Sequence, residues 1–210
     1  MKERPVTLLL VGSLVVMFVV TLAMGGATPS VLIKLGARRD MLGFPEENWR
    51  LLASMFLHYG WLHFLVNTVF LAVVAGLLEP LAGRFQTLYL FVFTGFAANL
   101  AASELAWQRP AVGASGAVLG LTAASLVLLL RGWGDYEPEL RKKTAVVLGS
   151  ALALSLFPDP RVDLTAHAAG MVLGALYALV LPQERGWLVS LVSLVAVILA
   201  AAARGPSLGI

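Results

Sequence analysis

The chain has 210 residues, of which 59% are hydrophobic and only 13% charged, where a soluble domain carries about 25% charged residues. With a mean hydropathy of +0.86, this composition excludes a water-soluble enzyme and predicts a polytopic membrane protein. A net charge of +3, carried between apolar segments, gives no nucleic-acid footprint, and the absence of cysteine removes disulfides, a thiol nucleophile and Cys-ligated zinc.

A helix needs roughly 20 apolar residues to cross a bilayer. Hydropathy predicts seven spans, at 6–24, 60–78, 85–103, 114–130, 144–157, 167–181 and 187–203. The first follows Lys2 and Arg4. Its apolar run is longer than the 7–15 residues of a signal-peptide core, so it reads as a retained helix, and a mitochondrial address is not expected. The connection over 25–59 mixes Val31, Leu32, Ile33, Leu51 and Leu52 with Lys34, Arg38, Arg39, Asp40, Trp49 and Arg50. A segment of that composition is expected to lie in the membrane interface. The segment 131–143 reads as a polar loop. The fifth and sixth spans are short, as helices shielded by neighbours can be.

Lys and Arg in short loops set orientation. With the N-terminus in the cytoplasm, the inner segments hold Lys2, Arg4, Arg84, Arg131, Arg141, Lys142, Lys143 and Arg185. The outer short segments hold Arg109, Arg161 and Arg204, and the first loop adds Lys34, Arg38, Arg39 and Arg50 outside. The expected topology is N-terminus in, C-terminus out, in the cell (plasma) membrane. The second, fourth and sixth spans then begin at the outer side. His63 and Asn67, Ser115, and His167 therefore share one depth. Ionisable and strongly polar groups inside a bilayer are costly and mark function.

Each group also has a plainer reading. Ser115 follows Pro110 and Gly113 at a helix entrance, where a serine is more often a cap. Backbone N–H groups at such an end can also stabilise an oxyanion. Gly116 and Gly120 on the fourth span, and Gly170 and Gly174 on the sixth, are spaced for close helix packing. His167 shares the face of Gly170 and Gly174. If the two glycine faces meet, His167 can reach Ser115; otherwise they are packing alone. His63 and Asn67 are one turn apart on one face. They can donate to a developing negative charge or simply bond between helices. His58 precedes that helix.

Taken together these residues resemble the rhomboid family of intramembrane serine proteases, over nearly the whole chain from the first to the sixth span. The family's His-x4-His-x3-Asn stands here as His58, His63 and Asn67, and its Gly-x-Ser-Gly as Gly113-Ala114-Ser115-Gly116. Ala166-His167, Gly170 and Gly174 match its Ala-His-x-x-Gly-x-x-x-Gly. Trp49-Arg50 match its first-loop Trp-Arg, and Glu79 with Gly83 its Glu-x-x-x-Gly.

The resemblance implies an all-α membrane bundle of the bacterial or archaeal type. A rhomboid-like six-helix protease core would span 1–183, with a seventh transmembrane helix and short tail over 184–210. It implies Ser115 as nucleophile and His167 as general base. It implies an oxyanion hole from His63, Asn67 and the Ser115 backbone N–H, supported by His58, Gly113, Gly116, Gly170, Gly174, Trp49, Arg50 and Glu79. No cofactor and no metal are expected. The partners implied are the lipid bilayer and transmembrane protein substrates, cut near the outer face through an acyl-enzyme.

One departure is Leu119, where many relatives carry an aromatic residue that stacks on the histidine. The alternative function is a non-catalytic rhomboid-like scaffold or chaperone that binds transmembrane helices. A transporter would need repeats or paired broken helices, which the sequence lacks. Gly132-Trp133-Gly134-Asp135 fits an aspartyl-protease string, but that chemistry needs two carboxylates sharing a proton, and the four aspartates all fall between the spans.

Overall fold

The computed structural model describes residues 3–38, 47–105, 110–132, 137–155 and 163–180. Over these residues the chain is an all-α bundle. Its elements are α1 (Pro5–Ala23), α2 (Pro29–Leu35), α3 (Arg50–Ala53) continued by a 3-10 turn (Ser54–Phe56), α4 (Trp61–Ala82), α5 (Arg84–Leu105), α6 (Ser115–Leu130), α7 (Pro138–Ser155) and α8 (Leu164–Val180). The seventh span expected at 187–203, its segment 184–210, and Gly134-Asp135 lie outside the described residues.

The helix α6 is the hub. It packs most extensively on α8 and α5, and also on α4 and α7. Twelve of its 16 residues are buried, so protein rather than lipid surrounds it. The helices α1, α4 and α5 are long and apolar enough to cross a bilayer, whereas α6 and α8 are shorter apolar helices. Sixteen residues at 1.5 Å rise make about 24 Å, short of a hydrocarbon core of roughly 30 Å. Shielded by its neighbours, α6 need not match the lipid. Arg131 stands exposed just past its C-terminal end, a residue suited to the headgroup level. A helix this short can leave one of its ends within the bilayer.

The outer helices show the opposite pattern. Leu8, Val16 and Val19 of α1 and Leu62, Val69 and Val73 of α4 are exposed, on the surface that lipid covers. Their inner faces carry the core residues Leu10, Leu14, Leu71 and Leu78. Phe18 stacks on Phe64 at 4.2 Å and meets Trp61 edge-on at 4.9 Å. Thr21, Thr94 and Thr122 each donate to the carbonyl four residues back, which keeps a hydroxyl satisfied in an apolar setting.

Two span limits differ most from the hydropathy reading. The fifth span begins at Pro138, not at 144, so Arg141, Lys142 and Lys143 are helical. Proline suits a first helical position and Glu139 suits the positive end of the helix dipole. Lys and Arg are good helix formers, and a hydropathy scan stops at them. The second span runs on past 78 to Ala82 because Glu79 is buried with partners. Its carboxylate accepts from Val6 N–H at 3.1 Å, Thr7 N–H at 2.8 Å and the Thr7 hydroxyl at 2.7 Å. A side chain of α4 thus satisfies the orphan donors at the start of α1.

The first loop is built rather than draped. Leu32, Ala37 and Leu57 form a small buried cluster of their own. Arg50 is tied to Glu47 at 2.8 Å, donates to the Ile33 carbonyl at 2.6 Å and lies 4.7 Å over the Trp49 ring. Arg38 is likewise buried, against Asp163. Two first-loop cations that weaken the charge asymmetry are thus ligands of internal carboxylates, and structure explains their presence.

Candidate active site

The segment ahead of Ser115 is pinned to the first loop. Arg38 N–H donates to the Ala111 carbonyl at 3.0 Å, and Ala111 N–H returns the bond to the Arg38 carbonyl at 2.8 Å. Gly113 N–H donates to the Ser54 carbonyl at 2.9 Å, and the Tyr59 hydroxyl donates to the Pro110 carbonyl. Gly113 then turns with φ +129, a left-handed conformation that a side chain would strain. The N-cap of α6 is Ala114, and Ser115 is the first helical residue. Ser115 is thus the residue after the cap rather than the cap itself. The first ladder bond runs from Val118 N–H to the Ala114 carbonyl at 2.9 Å. The N–H groups of Ser115, Gly116 and Ala117 precede that ladder, at the positive end of the helix dipole.

The glycine faces do meet. A Cβ built on Gly170 would stand 2.1 Å from the Gly116 carbonyl oxygen, and one on Gly174 would stand 2.1 Å from that of Gly120. A Cβ on Gly116 would stand 3.4 Å from the Ala166 carbonyl oxygen. The residue after Ser115 therefore touches the residue before His167. His167 itself is 9% exposed.

The third group comes from α4. The His63 ring lies against Gly113, where a Cβ would meet its Cε1 and Nε2 at 2.8 Å. His63 is also within electrostatic reach of His167. Asn67 is buried, and its amide donates to the His63 carbonyl at 2.9 Å. The His63 ring is bracketed by Tyr59, stacked at 6.0 Å, and by His58, edge-on at 5.1 Å. His63, Gly113, Ser115, Gly116, Gly170 and the turn carrying His167 thus converge at one end of the bundle. Glu79 does not join them. It lies 16 residues beyond His63 on α4, roughly 24 Å away at 1.5 Å per residue, and ties α1 to α4. Trp49 is half exposed and, with Arg50, braces the first loop. Leu119 is buried in the α6 core at 6% exposure.

His58 is fully buried. Burial first, and the neighbouring His63 second, push its pKa down to about 3. The folded protein keeps His58 neutral while an unfolded chain takes up a proton near pH 6.5. Its contribution to stability is full above that pH and is lost as pH falls toward 3. The thermal midpoint in detergent should fall between pH 7 and pH 4, and less steeply in His58→Gln. Equal slopes in the two proteins would remove His58 as the cause.

Sequence reasoning missed Arg38, Ser54, Tyr59, Asn99 and Asp163, which hold the site together. Only Asp163 carried a signal, as an N-cap residue type four residues before His167.

The Rhomboid domain profile matches residues 45–184. Among curated relatives, RHOMBOID-like protein 5 of Arabidopsis thaliana is 34% identical over 158 residues, 74% of this chain and 51% of its own. RHOMBOID-like protein 6, mitochondrial, from the same plant is 32% identical, over 77% of this chain and 54% of its own. Inactive rhomboid protein 2 of Homo sapiens is 36% identical over 64% of this chain and 16% of its own. The chain spans about half the length of the first two relatives.

Proposed function

The chain belongs to the rhomboid family, and we propose that it is an intramembrane serine endopeptidase with Ser115 as nucleophile and His167 as general base. The observation that carries this reading is the crossing of α6 and α8, glycine on glycine, at the turns bearing Ser115 and His167.

A serine hydroxyl is a weak nucleophile until a base takes its proton. In the proposed reaction His167 accepts that proton as Ser115 Oγ attacks a peptide carbonyl. The oxyanion forms where His63, Asn67 and the first N–H groups of α6 converge. Collapse expels the amine, which takes the proton from His167. Water, deprotonated by the same imidazole, then hydrolyses the acyl-enzyme. With the start of α6 as its recessed end, this chemistry lies below the membrane surface. That suits cleavage near the end of a transmembrane helix, in substrates that span the bilayer.

The accompanying topology puts the N-terminus in the cytoplasm and the site at the outer side of the cell (plasma) membrane. The protease core of this proposal covers 1–183, and the segment 184–210 lies outside the described residues. The presence of an inactive rhomboid protein among the relatives supports a second reading, a scaffold that binds transmembrane helices without cutting them.

Fluorophosphonate labelling of the purified protein separates the two. A protease labels, and Ser115→Ala and His167→Ala each abolish the label. A folded wild type that never labels favours the scaffold, or a dyad left misaligned where Leu119 stands, and cleavage in lipid separates those two. Removing one oxyanion donor costs about 10²–10³ in kcat, so Asn67→Ala should cleave measurably but at that reduced rate. Among the described residues its side chain bonds to its own helix, so the fold should persist. Full activity in this variant would take Asn67 out of the oxyanion hole.

A further inference from the structure

A buried cation and its partly buried carboxylate partner have no part in the chemistry above. Arg38 is 1% exposed. Its guanidinium donates to the Asn99 carbonyl of α5 at 2.8 Å and to the Asp163 carboxylate, whose side chain is 12% exposed. Asp163 caps α8, because its other carboxylate oxygen accepts from Ala166 N–H at 3.0 Å and its carbonyl accepts from His167 N–H at 3.0 Å. The main chain of the same arginine exchanges two hydrogen bonds with Ala111, four residues before Ser115. One residue of the first loop thus grips the strand that feeds the serine and the cap of the helix that carries the histidine.

Stability does not explain this arrangement. Burying two charges costs several kcal/mol in desolvation, and apolar replacements of buried ion pairs are often as stable or more so. What a guanidinium supplies is direction, since its planar fork fixes both distance and angle to a carboxylate. At the far end of the α6–α8 crossing the Arg131 guanidinium donates to the Ala178 carbonyl, but the glycine contacts at the Ser115 end supply no such direction. Gly116, Gly120, Gly170 and Gly174 present smooth backbone faces that permit close approach and offer no side-chain teeth against sliding or rotation. The Arg38–Asp163 clamp acts at the end of the crossing where Ser115 and His167 lie.

We propose that Arg38 is a positioning residue that sets the separation of Ser115 and His167, by holding the Ala111 strand with its backbone and the α8 cap with its side chain. This rests on the assignment of those two residues as nucleophile and base. A misplacement of about 1 Å in a catalytic pair costs on the order of 10²-fold in rate, so a loosened clamp shows as lost reactivity in a folded protein.

The test uses the full chain in detergent and measures fluorophosphonate inactivation, with the maximal rate and the half-saturating concentration determined separately. Asp163→Asn keeps a cap acceptor and drops the charge. Arg38→Lys keeps the charge and drops the fork. The double variant Arg38→Met with Asp163→Asn removes both charges. All three should lose roughly 10–100-fold in maximal rate, with half-saturation little changed, and the double variant should match the wild-type thermal midpoint. A wild-type rate in a stable double variant would overturn the proposal, because the pair would then serve stability alone. If the double variant does not fold, Arg38→Lys decides, and an unchanged rate there overturns it too. A wild type that neither labels nor cleaves in lipid, or that labels without His167, brings down the protease reading and this inference with it. That outcome is distinct, since the wild-type arm is read first.

Discussion

Replacing Ser115 with alanine is expected to abolish cleavage of a single-span substrate in lipid vesicles and to leave the thermal midpoint close to wild type. The structural half of this expectation follows from the start of α6. Ala114 occupies the N-cap, so the Ser115 hydroxyl is not the group that satisfies the helix end. Alanine is also the better helix former. The catalytic half follows from the logic of a unit. Removing nucleophile or base from a serine protease costs on the order of 10⁶ in kcat, and removing both costs little more. His167→Ala should therefore match Ser115→Ala, and the double variant should be no worse than either. Cleavage that survives in Ser115→Ala would assign the chemistry to another group. A variant series that falls in proportion to its thermal midpoints would mean that these residues serve folding instead.

The parts of this molecule visible in the sequence were those with a period or a spacing. Apolar runs located the helices α1, α4, α5, α6, α7 and α8, and residues three and four apart put His167 on the glycine face. The fourfold spacing of His63 and Asn67 placed both on one side of α4. What was not visible was pairing between distant residues. Arg38 and Asp163 are 125 residues apart, and nothing in the local pattern of either names the other. A charge scan treated Arg38 as a surface cation because charged side chains are rarely buried unless paired, and its partner lies on another helix. Asn99, which bonds the Leu51 carbonyl at 2.8 Å, was an unremarked polar residue in an apolar run for the same reason. The start of α7 was hidden by the opposite bias, since Lys and Arg favour helix while lowering hydropathy.

Placing a single methyl group on α8 should cost both stability and activity. Alanine in place of glycine inside a helix ordinarily stabilises it by up to about 1 kcal/mol. Gly149 of α7, with nothing within 4 Å of a built Cβ, should show that gain. Gly170 cannot, because its Cβ would stand 2.1 Å from a backbone oxygen of α6, and a carbonyl within a helix ladder cannot swing aside as a side chain does. Relief requires α8 to move off α6. Overpacking of this kind typically costs 1–3 kcal/mol.

Gly174→Ala meets the same obstacle at Gly120, one turn further along. The two variants should therefore lose similar stability. Their activities should part, because displacement at Gly170 acts at the turn touching His167 while displacement at Gly174 acts roughly 6 Å further from it. Gly170→Ala is expected to lose at least about 10²-fold in cleavage, and Gly174→Ala distinctly less. Thermal midpoints and initial cleavage rates, read on the same preparations, check both halves. Equal loss of activity in the two variants would mean that α8 moves as a rigid rod, and that the crossing as a whole, rather than its contact at Gly116, sets the catalytic geometry.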